Sequence, residues 1–217
     1  YFNDFIKAFP DIHALASAGE DRVMALWAGL GYYSRARNLH KTAKIVSSKY
    51  QGVFPKNDSE LISLPGIGPS TAGAILSLGS NLRAPILDGN VKRVLARYHM
   101  VDGHYSQASV MKKLWSLANF HTPSEKNAEY TQGIMDIGAT VCAPKNPLCD
   151  KCPISRGCEA FINNAQLLFP KKKTKKGPKP EKNIVFLVYL NEKKDVFLMK
   201  RPSSGVWGGL WCFEECQ

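Results

Sequence analysis

The sequence contains no window of about 18 or more uncharged apolar residues and no leader-like start, so neither a membrane span nor export has support. A cytosolic or nuclear-type compartment is the default. Acid is scarce: 18 Asp and Glu stand against 29 Lys and Arg, a net charge of +11 that points to a polyanionic partner. Paired histidines are missing. His13, His40, His99, His104 and His121 form no H-x3-H or similar spacing, which excludes a two-histidine metal helix and reads as surface or cap positions. No internal repeat is evident, which excludes a solenoid. What is present, 217 residues of which 44% are hydrophobic, can bury a sizeable core in one domain or in one domain plus part of another. The chain starts at Tyr1 rather than methionine and stops in the strand-like Trp211 to Gln217, so it reads as a fragment trimmed at both ends.

The charge is unevenly spread. Between Pro170 and Lys182 lie Lys171, Lys172, Lys173, Lys175, Lys176, Lys179 and Lys182 against Glu181 alone, a net +6 in one short segment. Lys, Pro and Gly cannot build a core, so residues 169–182 read as a basic linker, compatible with a strap along nucleic-acid phosphates. Everything before it is helix-dense: apolar residues recur at helical spacing from Tyr1 to Phe9, Val23 to Trp27, Leu39 to Val46, Val91 to Met100, Val110 to Leu117 and Ala128 to Ala139. Asn57 to Ser59, Ser106, and Pro123-Ser124 supply helix starts. After the linker, Ile184 to Leu190, a polar turn, and Val196 to Met199 read as a hairpin opening another domain.

Four of the six cysteines fall within 17 residues: Cys142, Cys149, Cys152 and Cys158, spaced C-x6-C-x2-C-x5-C. Without an export signal, disulfides are disfavoured. Four thiolates suit tetrahedral zinc, although structural zinc sites usually present two close pairs with a longer insert. A single compact loop around one centre is what a cubane iron-sulfur cluster needs. Spacing leaves both open and favours the cluster modestly. Cys212 and Cys216 stand apart, as packed or free thiols.

In LPGIGPSTAGAIL, Leu64 to Leu76, Gly66 and Gly68 sit between one short helix and the next. Two glycines at this spacing let a helix-hairpin-helix turn bring backbone N–H groups close to a DNA phosphate. Alone, the pair equally fits a plain turn between helices. Gly68 to Ala72 lacks the second glycine and the preceding strand of a nucleophile elbow. About 20 residues on, Asp88 stands at the mouth of a helix, a position where aspartate commonly serves as an N-cap.

Hairpin, aspartate and cysteine loop in this order resemble the helix-hairpin-helix DNA glycosylases with a 4Fe-4S cluster, and within them the adenine glycosylases of the MutY type. The matching stretches are Leu26 to Ala43, Leu64 to Leu78, Ile86 to Arg97, Gly133 to Cys142 and the cysteine loop, while Met199 to Glu215 looks like the start of that branch's Nudix-like 8-oxoguanine domain. No acidic helix for magnesium follows Gly209, so a Nudix hydrolase is disfavoured. The resemblance implies a mainly α fold. Its parts are a helical glycosylase domain over residues 1–141 with the hairpin at 60–79, a cluster loop at 142–158, the linker, and the start of a Nudix-like α/β domain over 183–217.

The implied activity is removal of adenine mispaired with 8-oxoguanine or guanine in double-stranded DNA, by a monomer that flips the base. The implied location is cytoplasmic and nucleoid-associated in a bacterium, nuclear or mitochondrial in a eukaryote. Asp88 matches the catalytic aspartate whose charge stabilises an oxocarbenium-like sugar. Gln132 matches a position lining the adenine pocket. Gly66 and Gly68 match the hairpin, Ser70 lies near where the opposite base is probed, and Lys92 is assigned a phosphate or sugar contact. Endonuclease III carries a catalytic lysine where this chain has Ser70, so Schiff-base lyase chemistry lacks its amine and a monofunctional enzyme is expected. The branch's catalytic glutamate, in a WLSE-type motif, has no counterpart in these residues, so the chain by itself is expected to cleave slowly or not at all. A non-catalytic DNA-damage binding module is the competing reading.

Overall fold

A computed structural model describes residues 1–173, 177, 181–203 and 205–216. Part of the basic linker, Thr174 to Lys176 and Pro178 to Pro180, and Ser204 of the Met199 to Glu215 stretch lie outside the described residues. The chain divides into two compact units, Tyr1–Phe54 with Lys176–Gln217, and Pro55–Lys175.

The first unit holds α1 (Phe2–Ala8), α2 (Ile12–Ser17), α3 (Glu20–Leu26) and α4 (Tyr33–Lys49). Asp11 caps α2 by accepting from the Ala14 N–H at 2.7 Å. Phe9, Leu15, Val23 and Ala43 form the buried cluster these helices share. Among this unit's described residues are the short strands β1 (Val185–Leu187), β2 (Met199–Lys200), β3 (Trp211–Cys212) and β4 (Glu214–Cys216). The expected hairpin is present around its turn, with an antiparallel bridge between Leu190 and Val196, the Phe197 N–H bonding the Tyr189 carbonyl at 3.1 Å, and the Asn191 side chain accepting from the Asp195 N–H at 2.9 Å. Away from the turn, β1 pairs with β4 and β2 with β3.

The second unit runs α5 (Asp58–Ile62), α6 (Pro69–Ser80), α7 (Gly89–Tyr98), α8 (Ala108–His121) and α9 (Asn127–Asp136), then a single π turn (Ile137–Val141), two 3-10 turns (Cys149–Lys151 and Ser155–Gly157) and α10 (Glu159–Ile162). Asn57 caps α5 as its side chain predicts. Two other starts fall later than their signals. Ser106 bonds His104 instead of capping, and α8 begins two residues on. Lys126, at φ 55°, turns the chain into α9.

The core explains the order of elements. On α7, Val91, Val94 and Leu95 recur at i, i+3 and i+4, which puts one apolar stripe against Leu114 and Ala118 of α8 and Ile134 of α9. Ile86 and Leu87 enter the same core immediately before the helix. Burying a side chain such as Leu87 stabilises by about 1.5–3 kcal/mol, which anchors the segment that carries Asp88. On α6, Gly73 is required by contact: a Cβ there would lie 2.2 Å from the Pro85 carbonyl oxygen, so α6 passes directly against the strand-like approach to Asp88.

Among the described residues, no helix is long and apolar enough to cross a membrane.

Candidate functional site

The hairpin is built as its residues demand. Gly66 has φ +78°, a conformation that favours glycine, and Gly68 is the extended N-cap of α6. Pro69 occupies the first turn, where its missing N–H costs nothing. The backbone donors at the start of α6 therefore follow a sharp bend with no side chain in front of them.

Ser70 stands one residue further on, and its role in the structure is local. Its Oγ accepts a hydrogen bond from the Leu87 N–H at 2.9 Å. The hairpin is thereby tied to the residue immediately before Asp88, a link between positions 17 apart that spacing did not reveal.

Asp88 is the N-cap of α7, its Oδ1 accepting from the Val91 N–H at 2.7 Å. It is partly buried, so the carboxylate is held in one orientation at a helix N-terminus, where negative charge is favoured, without being withdrawn from solvent. One turn later, the Lys92 ammonium lies 5.6 Å from the centre of the Tyr105 ring. That stacking leaves the charge free to face an anion. Gln132, on α9, is exposed and donates through Nε2 to Asp136 Oδ1 at 2.8 Å.

The same helix carries the site toward the cysteines. Arg93 donates from Nε to the Cys142 carbonyl at 2.7 Å, and from Nη2 to Asn90 Oδ1 at 2.8 Å and to the Gly138 carbonyl. Arg97, 2% exposed, donates to Cys142 Sγ at 3.2 Å and to the carbonyls of Ala143, Pro144 and Phe169. Sequence reasoning missed both arginines as parts of the site. Their i, i+4 spacing on the helix that follows Asp88 was the available signal. The π turn delivers Cys142, whose N–H bonds the Ile137 carbonyl at 2.7 Å. Gly138 is needed there because a Cβ would come 2.6 Å from Asn90 Cβ.

Beyond Cys142 the chain closes in successive short turns, with Cys152 N–H bonding Cys149 O and Cys158 N–H bonding Ser155 O. All four cysteines are free thiols and line one cavity with Val94, Ile137 and Ile154. Burial, reinforced by the neighbouring cysteines, pushes the Cys149 thiol up, and burial likewise raises that of Cys158. Several thiolates cannot share an apolar cavity without positive charge among them, which is the condition a metal centre satisfies. Among the described residues, no three His, Cys, Asp or Glu side chains converge on a single-ion site. The four thiols border a shared cavity, a donor set that could hold a thiolate-bound metal centre. Lys145, Lys151 and Arg156 project from this loop into solvent.

The surface-or-cap expectation holds for the exposed His13 and for His99, the C-cap of α7, and is corrected at His40. His40 is buried and bonds the Ala18 carbonyl at 3.0 Å, while His99 and His121 meet with their Nε2 atoms 2.7 Å apart. Beside them, Tyr98, His121, Tyr130 and Ile134 border a cavity of about 270 Å³, and burial pushes the Tyr130 phenol up to about 12. This cavity takes no part in the Asp88 site.

Residues 1–120 match the HhH-GPD superfamily of base excision DNA repair proteins, and the chain belongs to that family. Within it, the chain is similar to curated proteins named adenine DNA glycosylase: 44% identity over 99% of this chain for Buchnera aphidicola subsp. Baizongia pistaciae, and 32% over 98% for Homo sapiens. It spans 60% of the length of the first and 47% of the second. Among solved structures, a thermostable thymine-DNA glycosylase aligns with TM-score 0.64 and 29% identity over 75% of each chain. An endonuclease III bound non-covalently to DNA shares the fold at TM-score 0.62 and 22% identity, also over 75% of each chain. These matches bear out the mainly α, helix-hairpin-helix fold class.

Proposed function

We propose that the chain belongs to an adenine DNA glycosylase that removes adenine paired with 8-oxoguanine or guanine from double-stranded DNA. The observation that carries this reading is the placement of Asp88: a carboxylate fixed by the Val91 N–H, one residue beyond the Leu87 N–H that the hairpin's Ser70 holds. A hairpin gripping the DNA backbone and an anion at a fixed offset from it suit a reaction whose transition state carries positive charge on the sugar. Gly66 and Gly68 bring N–H donors to the phosphate, Lys92 adds a cation to the same strand, and Gln132 meets the edge of the flipped base. The Asp88 carboxylate stabilises the sugar cation. The leaving base is protonated by a glutamate of the WLSE type, in a chain that carries one.

Position 70 offers a hydroxyl that is already engaged and no amine, so the abasic product is left uncleaved. Cys142, Cys149, Cys152 and Cys158 would hold a 4Fe-4S cluster, which would supply a fixed centre for their loop, and Lys145, Lys151 and Arg156 of that loop meet DNA phosphates.

A single-turnover assay of the complete protein on duplexes containing A:8-oxoguanine, A:G and A:T tests the reading. Adenine release from the first two without strand scission is expected. Equal release from A:T, strand cleavage, or efficient borohydride trapping would contradict it.

A further inference from the structure

We propose that the side-chain amide of Gln166 donates a hydrogen bond to the sulfur-ligated group held by the four cysteines and raises that group's reduction potential. The inference rests on the iron-sulfur reading above. Gln166 lines the same cavity as Cys142, Cys149, Cys152 and Cys158, and its Oε1 is buried without a hydrogen-bond partner. A buried carbonyl oxygen with no donor leaves its own desolvation uncompensated, and here it belongs to a residue in the wall of the cavity that the four thiols share. A half-turn about the terminal amide bond exchanges oxygen for nitrogen at no change in shape, and presents two N–H donors to sulfur.

The backbone holds the residue in place for this. Ala165 and Phe169, each 7% exposed, flank it in sequence and belong to a buried cluster with Ala160 that Cys158 packs against, and the Ala165 N–H bonds the Ala160 carbonyl at 2.7 Å just after α10. One sulfur already has a side-chain donor, since Arg97 Nη1 lies 3.2 Å from Cys142 Sγ. Gln166 adds a neutral donor from the other end of the loop. Hydrogen bonds to sulfur withdraw electron density and stabilise the more reduced, more negative state, so each one moves the potential upward. Gln166 is a positioning and tuning residue and touches no DNA in this account.

The test is voltammetry on the iron-loaded protein, with iron and zinc content measured for every sample, comparing wild type, Gln166→Leu and Gln166→Glu. Q166L removes the donor; Q166E keeps the shape, removes the N–H groups and adds negative charge. The expected result is a lower potential in Q166L and a still lower one in Q166E, at wild-type iron content. Identical potentials in all three would overturn the inference and leave the cluster reading intact. Loss of iron from both variants would overturn it too, because a tuning donor is not needed for assembly. Wild-type protein that carries zinc and no iron would overturn the cluster reading and, with it, this one.

Discussion

The Ser70 hydroxyl accepts the Leu87 backbone N–H at 2.9 Å, joining the glycine bend to the residue that precedes the catalytic candidate. No helix or strand ladder links these two segments, so the fixed offset between hairpin and Asp88 depends on this bond together with the close passage of Gly73 under Pro85.

Ser70→Ala leaves the partly buried Leu87 N–H without its partner, at a cost of about 1–3 kcal/mol. Urea unfolding should show a lower midpoint with unchanged slope. Ser70→Thr, which keeps the hydroxyl, should recover most of the loss.

Gly138→Ala places a Cβ 2.6 Å from Asn90 Cβ and 3.1 Å from its backbone. Overpacking of this kind costs about 1–3 kcal/mol. Because Arg93 bridges Gly138, Asn90 and Cys142, the same change should also reduce the iron retained per chain. Thermal unfolding and iron analysis together check it.

How much of this was legible in the sequence depends on the kind of contact. Gly66, Gly68, Asn57 and Asp88 act through their own backbone or within three residues, and local turn and cap chemistry predicts all four. The helical stripes of α7 and α8 were equally readable. Ser70 with Leu87, Arg93 and Arg97 with Cys142, and His99 with His121 are 17 to 49 residues apart, and their pairing depends on how the helices stack. The strands divide the same way: the Leu190–Val196 hairpin turn is local and was readable, while β1 meets β4 across most of the C-terminal segment. The cysteine spacing gave the loop, while the cavity that its four thiols share depends on how the loop packs against α7 and the π turn.

The His99–His121 pair makes stability depend on pH. Each is held below the ordinary histidine value, His99 by burial and then by His121, with Lys113 adding repulsion and Glu159 opposing it, and His121 by burial. Tyr98 and Phe120 pack edge-on against the pair. At 2.7 Å one imidazole must donate and the other accept, so both cannot be protonated in the folded state. The unfolded chain therefore binds more protons, and stability is fully present above pH 6.5 and is lost as the pH falls through it toward the lower folded values. The midpoint of urea unfolding should drop between pH 7.5 and pH 5.5, and His121→Val should flatten that dependence. An equal drop in the variant would assign the effect to other groups.

The central claim is that the Asp88 charge, and not its capping bond, drives base excision. Asparagine caps helices as well as aspartate does, so Asp88→Asn should change stability by only about 0.5 kcal/mol while removing the anion. In the complete protein, single-turnover adenine release from an A:8-oxoguanine duplex should fall by about 10²–10³-fold, on the scale of losing one electrostatic stabiliser. An Asp88→Asn protein that is folded and releases adenine at the wild-type rate would contradict the account.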